Sequence, residues 1–199
     1  MQSFDLHLFR WFHTLADRWG PLDWALSHLA NDYFIPVALS LIAFSLWFVG
    51  DTKEKRRQNQ WAFIYAGVGV GISDIAVKVI NLHYYRDRPF VALPEILPQV
   101  EKLFYRAHDS SFPSNSATVV FALAFGVWLA NKRVGTVMFV LAALMAVSRV
   151  IVGVHYPLDI LGGAALGITV TFLTTSIIRL LLQPIGRLAF WILEHVFIA

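Results

Sequence analysis

Residues 134–159 read VGTVMFVLAALMAVSRVIVGVHYPLD: fifteen positions without a charge, then Arg149, then Gly153, His155, Pro157 and Asp159 within the next ten. A bilayer span needs about 20 apolar residues, so the uncharged run and the Val-Ile-Val after Arg149 have the length of one transmembrane helix. A guanidinium at that depth is costly unless it has a partner or holds an anion. Pro157 suits the first turn of a following helix. A short reversal before it would bring the Asp159 carboxylate to the His155 imidazole, fixing its tautomer and raising its basicity.

Working outward, further uncharged stretches cover residues 33–50, 61–73, 110–131 and 160–178. The second reaches full length only by continuing to Leu82 through Asp74 and Lys78, and the first extends back to about Pro21. With 57% hydrophobic and 15% charged residues in 199, five such spans and their short connections use nearly the whole chain. The expectation is an all-α integral membrane bundle of about five transmembrane helices, with residues 1–199 as one membrane-embedded domain. Residues 4–17 interleave Phe, Leu and Trp with Asp5, His7, Arg10, His13 and Asp17, the pattern of a helix lying in the membrane surface. The segment 184–199 is similar. Gly163 and Gly167 in the last span read as a close helix-packing step.

Residues 51–60, DTKEKRRQNQ, and the pair Lys132 and Arg133 read as cytoplasmic connections. All 16 Lys and Arg divide evenly between the two sides, so the orientation rests on the dense 53–57 cluster. Trp47, Trp61 and Trp128 then fall at the inner boundary, and Trp19 and Trp24 at the outer one. The absence of cysteine excludes disulfides, Cys-ligated metals and thiol nucleophiles. A net charge of +3 with no long basic run argues against a nucleic-acid partner.

This topology gathers Lys78, Arg86, Arg88, His108, Arg149, His155 and Asp159 at the outer side. Arginine forks match phosphate oxygens in bidentate fashion, so a phosphorylated lipid is the natural ligand. Residues 78–90, KVINLHYYRDRPF, end a span and present Arg86 and Arg88. Lys78 stands four residues after Asp74, which leaves it either a phosphate ligand or half of a self-neutralising pair. Residues 111–118, SFPSNSAT, open a span at Pro113 with Ser114, Asn115 and Ser116, and a helix N-terminus there either is capped by Ser114 or favours an anion.

Together these segments resemble the type 2 phosphatidic acid phosphatase family of integral membrane lipid phosphatases, and more closely its bacitracin-resistance branch of undecaprenyl-diphosphatases. SRVIVGVHYPLD (148–159) matches the family's S-R-x-x-x-G-x-H-x-x-x-D throughout, and RDRPF (86–90) matches its R-P step. The resemblance implies that His155 takes the phosphoryl group as a phosphohistidine and that Asp159 orients it. It implies that Lys78, Arg88, Ser114 and Arg149 hold phosphate oxygens, with Asn115 at the helix N-terminus and Arg86 as an addition, and that no metal or other cofactor is used.

One position departs. Ser116 stands where the family's P-S-x-H motif has the His that protonates the leaving oxygen. Three readings follow: the protein is impaired, naturally or by an engineered change; His108 or His83 substitutes; or the reaction needs little acid help. The third fits a lipid diphosphate, which expels a phosphate monoester with a second pKa of about 6, whereas a lipid monophosphate expels a far more basic alkoxide. The expected function is dephosphorylation of undecaprenyl diphosphate on the outer face of a bacterial cytoplasmic membrane. The competitors are a phosphatidylglycerophosphate or phosphatidic acid phosphatase and a non-catalytic binder of lipid phosphates.

Overall fold

A computed structural model describes residues 2–16 and 20–182. The readings made for Trp19 and for segment 184–199 fall outside these residues. Every regular element among the described residues is helical: α1 (Gln2–His13), α2 (Gly20–Ala30), α3 (Phe34–Ser45), α4 (Lys53–His83), α5 (Pro89–Ala92), α6 (Leu97–Leu103), α7 (Asn115–Trp128), α8 (Lys132–Val152) and α9 (Pro157–Ile177), which runs on into a π-helical turn at Ile178–Leu182.

Among the described residues, three helices are long and apolar enough to cross a bilayer: α4, α8, and α9 with its extension to Leu181. The first expected span is broken. Its halves α2 and α3 meet at 56° and together count as a fourth crossing. Asn31 makes the break, its side-chain carbonyl accepting the backbone N–H groups of Tyr33 (2.8 Å) and Phe34 (3.2 Å) that open α3. The stretch 110–131 also differs from expectation, because its helix begins only at Asn115 and has 14 residues, about 21 Å at 1.5 Å per residue. That is short for a span, and α7 instead packs among α3, α4, α8 and α9. Finally, the basic cluster expected in a connection is the first turn of α4, which starts at Lys53 with Thr52 as its cap.

Helix α7 is approached closely from two sides. On α9, a Cβ at Gly163 would lie 2.5 Å from the Ser114 carbonyl oxygen, and one at Gly167 would lie 2.3 Å from that of Thr118. On α4, Ala66 meets α7 at Gly126, where a Cβ would sit 2.5 Å from the Ala66 Cα. These small residues let backbones touch where side chains would hold them apart. The two basic clusters share one end of the bundle: Asn131 donates to Asn59 (3.1 Å), Gln58 to the Ala130 carbonyl (2.5 Å), and Lys132 lies over the Trp128 ring. The opposite end carries the C-termini of α4 and α8 and the N-termini of α7 and α9.

The N-terminal α1 is amphipathic, as expected of a surface helix, but its buried face packs against α8 and α9. Phe9 stacks edge-on against Tyr156, and Asp5 is fully buried. Gly167→Ala is expected to destabilise the detergent-solubilised protein by about 1–3 kcal/mol through overpacking against Thr118. Gly67→Ala, at a helical site with nothing within 4 Å of the added Cβ, is expected to be neutral or slightly stabilising. Thermal unfolding of the two variants side by side checks the contrast.

Candidate active site

At the end away from the basic clusters, a cavity of about 270 Å³ is lined by Asp32, Tyr33, Pro36, Arg88, Tyr105, Asp109, Asn115, Ser116, Val119, Arg149 and His155. The sequence pattern around His155 explains its position. Helix α8 ends at Val152, and Gly153 takes a left-handed φ of +95° that a side-chain-bearing residue rarely adopts. Its turn bonds Val154 N–H to the Arg149 carbonyl (3.0 Å), and Pro157 then opens α9. His155 is left between the two helices with 1% of its surface exposed.

The partners of the imidazole fix its tautomer. Nδ1 lies 3.0 Å from the Ser111 carbonyl oxygen, an acceptor only, so Nδ1 carries the proton and donates it there. Nε2 lies 3.2 Å from Arg88 Nη1, a donor only, so Nε2 presents its lone pair toward the cavity's guanidinium. Burial and the nearby charges of Arg88 and Arg149 hold the His155 pKa well below the ordinary histidine value of 6.5. The ring is thus neutral at physiological pH, and the Nε2 electron pair, which accepts from Arg88, becomes a nucleophile once that hydrogen bond is given up to a substrate oxygen.

Asp159 differs from expectation. Its Oδ2 lies 3.7 Å from His155 Nδ1, too far for a hydrogen bond. Its oxygens are instead occupied by Ser111 Oγ (2.5 Å), Tyr156 N–H (2.9 Å) and Arg86 Nη1 (2.6 Å). Ser111 is therefore the link, its carbonyl accepting from His155 while its hydroxyl donates to Asp159. The carboxylate remains close enough to stabilise an imidazolium formed by reaction at Nε2.

Arg86 is committed to carboxylates rather than to a phosphate. One arm binds Asp159 and the other Asp5 at 2.6 Å, and Asp5 also accepts Leu158 N–H (3.0 Å). These two carboxylates hold its pKa above the ordinary arginine value against the opposing effect of burial. Lys78 also leaves the site. Its ammonium pairs with Asp74 at 2.7 Å and its side chain is 73% exposed, on a face of α4 turned outward from the bundle. Ser114 is fully buried and its hydroxyl is taken up in capping α7, accepting Ala117 N–H (3.4 Å). Asn115 and Ser116 do line the cavity. His83 and His108 are exposed and are not among the residues of its wall.

Arg88 and Arg149 are the cations facing the cavity. Arg88 is held by Asp109, through its carbonyl (3.1 Å) and its carboxylate (2.8 Å), and by the Val154 carbonyl (3.2 Å). Arg149 Nη1 donates to the Ala30 carbonyl at the end of α2 (2.8 Å) and to Asp32 Oδ1 (2.6 Å). Its Nε is buried without a hydrogen-bond partner. Asp32, Tyr105 and Asp109 are site residues that sequence reasoning missed. The one local signal was Asn31-Asp32 interrupting an otherwise apolar stretch. A neutral, buried imidazole facing two guanidinium groups and a helix N-terminus is an arrangement chemically able to take up a phosphoryl group.

The sequence profile of the PAP2 superfamily matches residues 62–182. The undecaprenyl-diphosphatase BcrC of Bacillus subtilis is 32% identical over 167 residues, covering 83% of this chain and 80% of that protein. The Bacillus licheniformis protein named bacitracin transport permease protein BcrC is 31% identical, covering 82% and 75%. A transmembrane PAP2-type phosphatidylglycerolphosphate phosphatase from Bacillus subtilis shares the fold, with a TM-score of 0.62, 22% identity, and 92% of this chain and 88% of that one covered. The chain belongs to the PAP2 superfamily.

In ¹⁵N-histidine-labelled protein, the His155 ring is expected to stay neutral, with its proton on Nδ1, as pH falls through 6.5, and to take up a second proton only well below it. Arg88→Gln removes one of the two repelling cations and is expected to raise that midpoint. A His155 midpoint at or above 6.5 in the unaltered protein contradicts the assignment.

Proposed function

We propose that the protein hydrolyses undecaprenyl diphosphate to undecaprenyl phosphate through a phosphohistidine on His155. The observation that carries the reading is the neutral Nε2 lone pair beside Arg88. In the first half-reaction, Nε2 bonds to the terminal phosphorus while the bridging P–O bond breaks and the lipid monophosphate departs. Arg88, Arg149, and Asn115 and Ser116 at the N-terminus of α7 neutralise the oxygens. Asp159, at 3.7 Å, stabilises the resulting cationic imidazole ring. Among the described residues no three His, Asp or Glu side chains come together as metal ligands, and the charge neutralisation assigned here uses this chain's own cations.

Two further features support a polyprenyl diphosphate. Among the described residues the cavity wall has no imidazole besides His155, which suits a leaving group that needs no proton. Tyr33 is shared between the cavity and an apolar groove of about 730 Å³ along the bent α2 and α3, lined by Phe34, Val37, Ala38, Leu41 and Leu103, where an isoprenoid tail fits. The name of the Bacillus subtilis relative, undecaprenyl-diphosphatase BcrC, supports the same substrate. The site lies opposite the 53–57 cluster, and by the positive-inside rule it faces the outside of a bacterial cytoplasmic membrane. All 199 residues then act as a single lipid phosphatase domain. This activity would regenerate the lipid carrier and compete with bacitracin for lipid diphosphate.

Purified protein in detergent with EDTA is expected to release phosphate from undecaprenyl diphosphate at least about tenfold faster than from phosphatidic acid or phosphatidylglycerophosphate. His155→Ala is expected to lower kcat by about a thousandfold or more. Preference for a monophosphate lipid contradicts the substrate assignment, and full activity of His155→Ala contradicts the nucleophile.

A further inference from the structure

Asp32 sits at the break between α2 and α3, and three donors converge on it. Arg149 Nη1 (2.6 Å) and Ser116 Oγ (2.8 Å) both reach Oδ1, and the Tyr105 hydroxyl donates to Oδ2. This carboxylate lines the same cavity as His155. The placement is costly for a site that must admit an anion, since a fixed negative charge repels the incoming phosphate. Asp32 supplies the partner that buried Arg149 needs, and its bonds to Ser116 and Tyr105 go beyond that pairing and fix the carboxylate on the cavity wall. The other carboxylate on the wall, Asp109, is 61% exposed and bonded to Arg88. Asp32, 21% exposed, is therefore the more enclosed carboxylate beside the cavity.

The first half-reaction needs no proton donor, whereas the second must bring water to the phosphorus. We propose that Asp32 is the base for that second half, a reading that rests on His155 as the phosphorylated nucleophile. In this step the water oxygen bonds to phosphorus, the P–Nε2 bond breaks, and its electron pair returns to Nε2. The water proton passes to the Asp32 carboxylate and leaves with inorganic phosphate or to solvent. Ser116, Tyr105 and Arg149 hold the carboxylate at the cavity wall and keep it ionised between turnovers. Tyr105 comes from the loop after α6 and Ser116 from the first turn of α7, so base and nucleophile are carried by different elements.

The test uses the full chain in detergent and undecaprenyl diphosphate labelled with ³²P in its terminal phosphate. Asp32→Asn is expected to lower kcat by about 100-fold or more. It is also expected to leave the first turnover in place, so that acid-labile, alkali-stable label accumulates on the protein. Adding Ser116→His to Asp32→Asn puts an imidazole at the position now 2.8 Å from the carboxylate and is expected to recover at least about tenfold of the lost turnover. Should Asp32→Asn fail to give a monodisperse protein, Asp32→Glu replaces it, with slowed turnover and partial accumulation of label expected. Turnover within about threefold of the unaltered protein, or slow turnover without label on the chain, overturns the proposal. If Asp32→Asn instead binds lipid more tightly and turns over faster, Asp32 is an occluding group and the base assignment falls. His155→Ala carries no label in either case, and an unaltered protein that releases no phosphate defeats the parent reading rather than this one alone.

Discussion

A charge buried at the end of a membrane bundle must be paired, and the whole site follows from how that is done. Three arginines and four carboxylates meet around one imidazole. Asp5 and Asp159 share Arg86, Asp109 holds Arg88, and Asp32 holds Arg149. Removing one partner from a buried pair costs about 3–5 kcal/mol, because the survivor is left desolvated and unpaired. The arrangement therefore fixes several elements at once: Asp5 ties α1 to the N-terminus of α9, and Arg149 ties the end of α8 to the break between α2 and α3. In this chain the network locks the side chains that surround His155.

Packing elsewhere serves the same end. Gly163 and Gly167 of α9 let α7 approach until the Ser114 N–H reaches the Asp159 carbonyl at 3.1 Å. That contact sets the N-terminus of α7 beside the cavity and brings the preceding Ser111 between His155 and Asp159. The tautomer of the nucleophile thus depends on helix packing as well as on its immediate hydrogen bonds. Arg86 joins in from the loop after α4, fastened by Arg86 N–H to Ser110 Oγ (3.1 Å) and Ser111 N–H to the Arg86 carbonyl (2.8 Å).

What was legible in the sequence was what short spacing encodes. The glycine, histidine, proline and aspartate after Arg149 sit in one turn, so their proximity followed from local geometry. The need of Arg149 for a partner also followed, from its depth after an apolar run. The partner did not: Asp32 lies 117 residues away and reaches Arg149 only through tertiary packing. Asp5 was read as part of the polar face of α1, because periodicity alone does not say which side of a short amphipathic helix is covered. For Lys78 the sequence allows two readings, phosphate ligand or partner of Asp74, and its i, i+4 spacing from Asp74 describes the pair the structure shows. The helix in 110–131 is shorter than its uncharged stretch because lack of charge does not distinguish helix from the non-helical Ser-Phe-Pro-Ser segment before α7.

The central claim is that His155 Nε2 is the atom that receives phosphorus, in a cavity held by Arg88 and Arg149. A structure of the protein with orthovanadate, a phosphoryl analogue, tests it most directly. The account predicts vanadium bonded to His155 Nε2, with its oxygens contacted by Arg88, by Arg149 and by the N-terminus of α7. Vanadate bound beside Lys78, or in the cavity without a bond to His155, would contradict it.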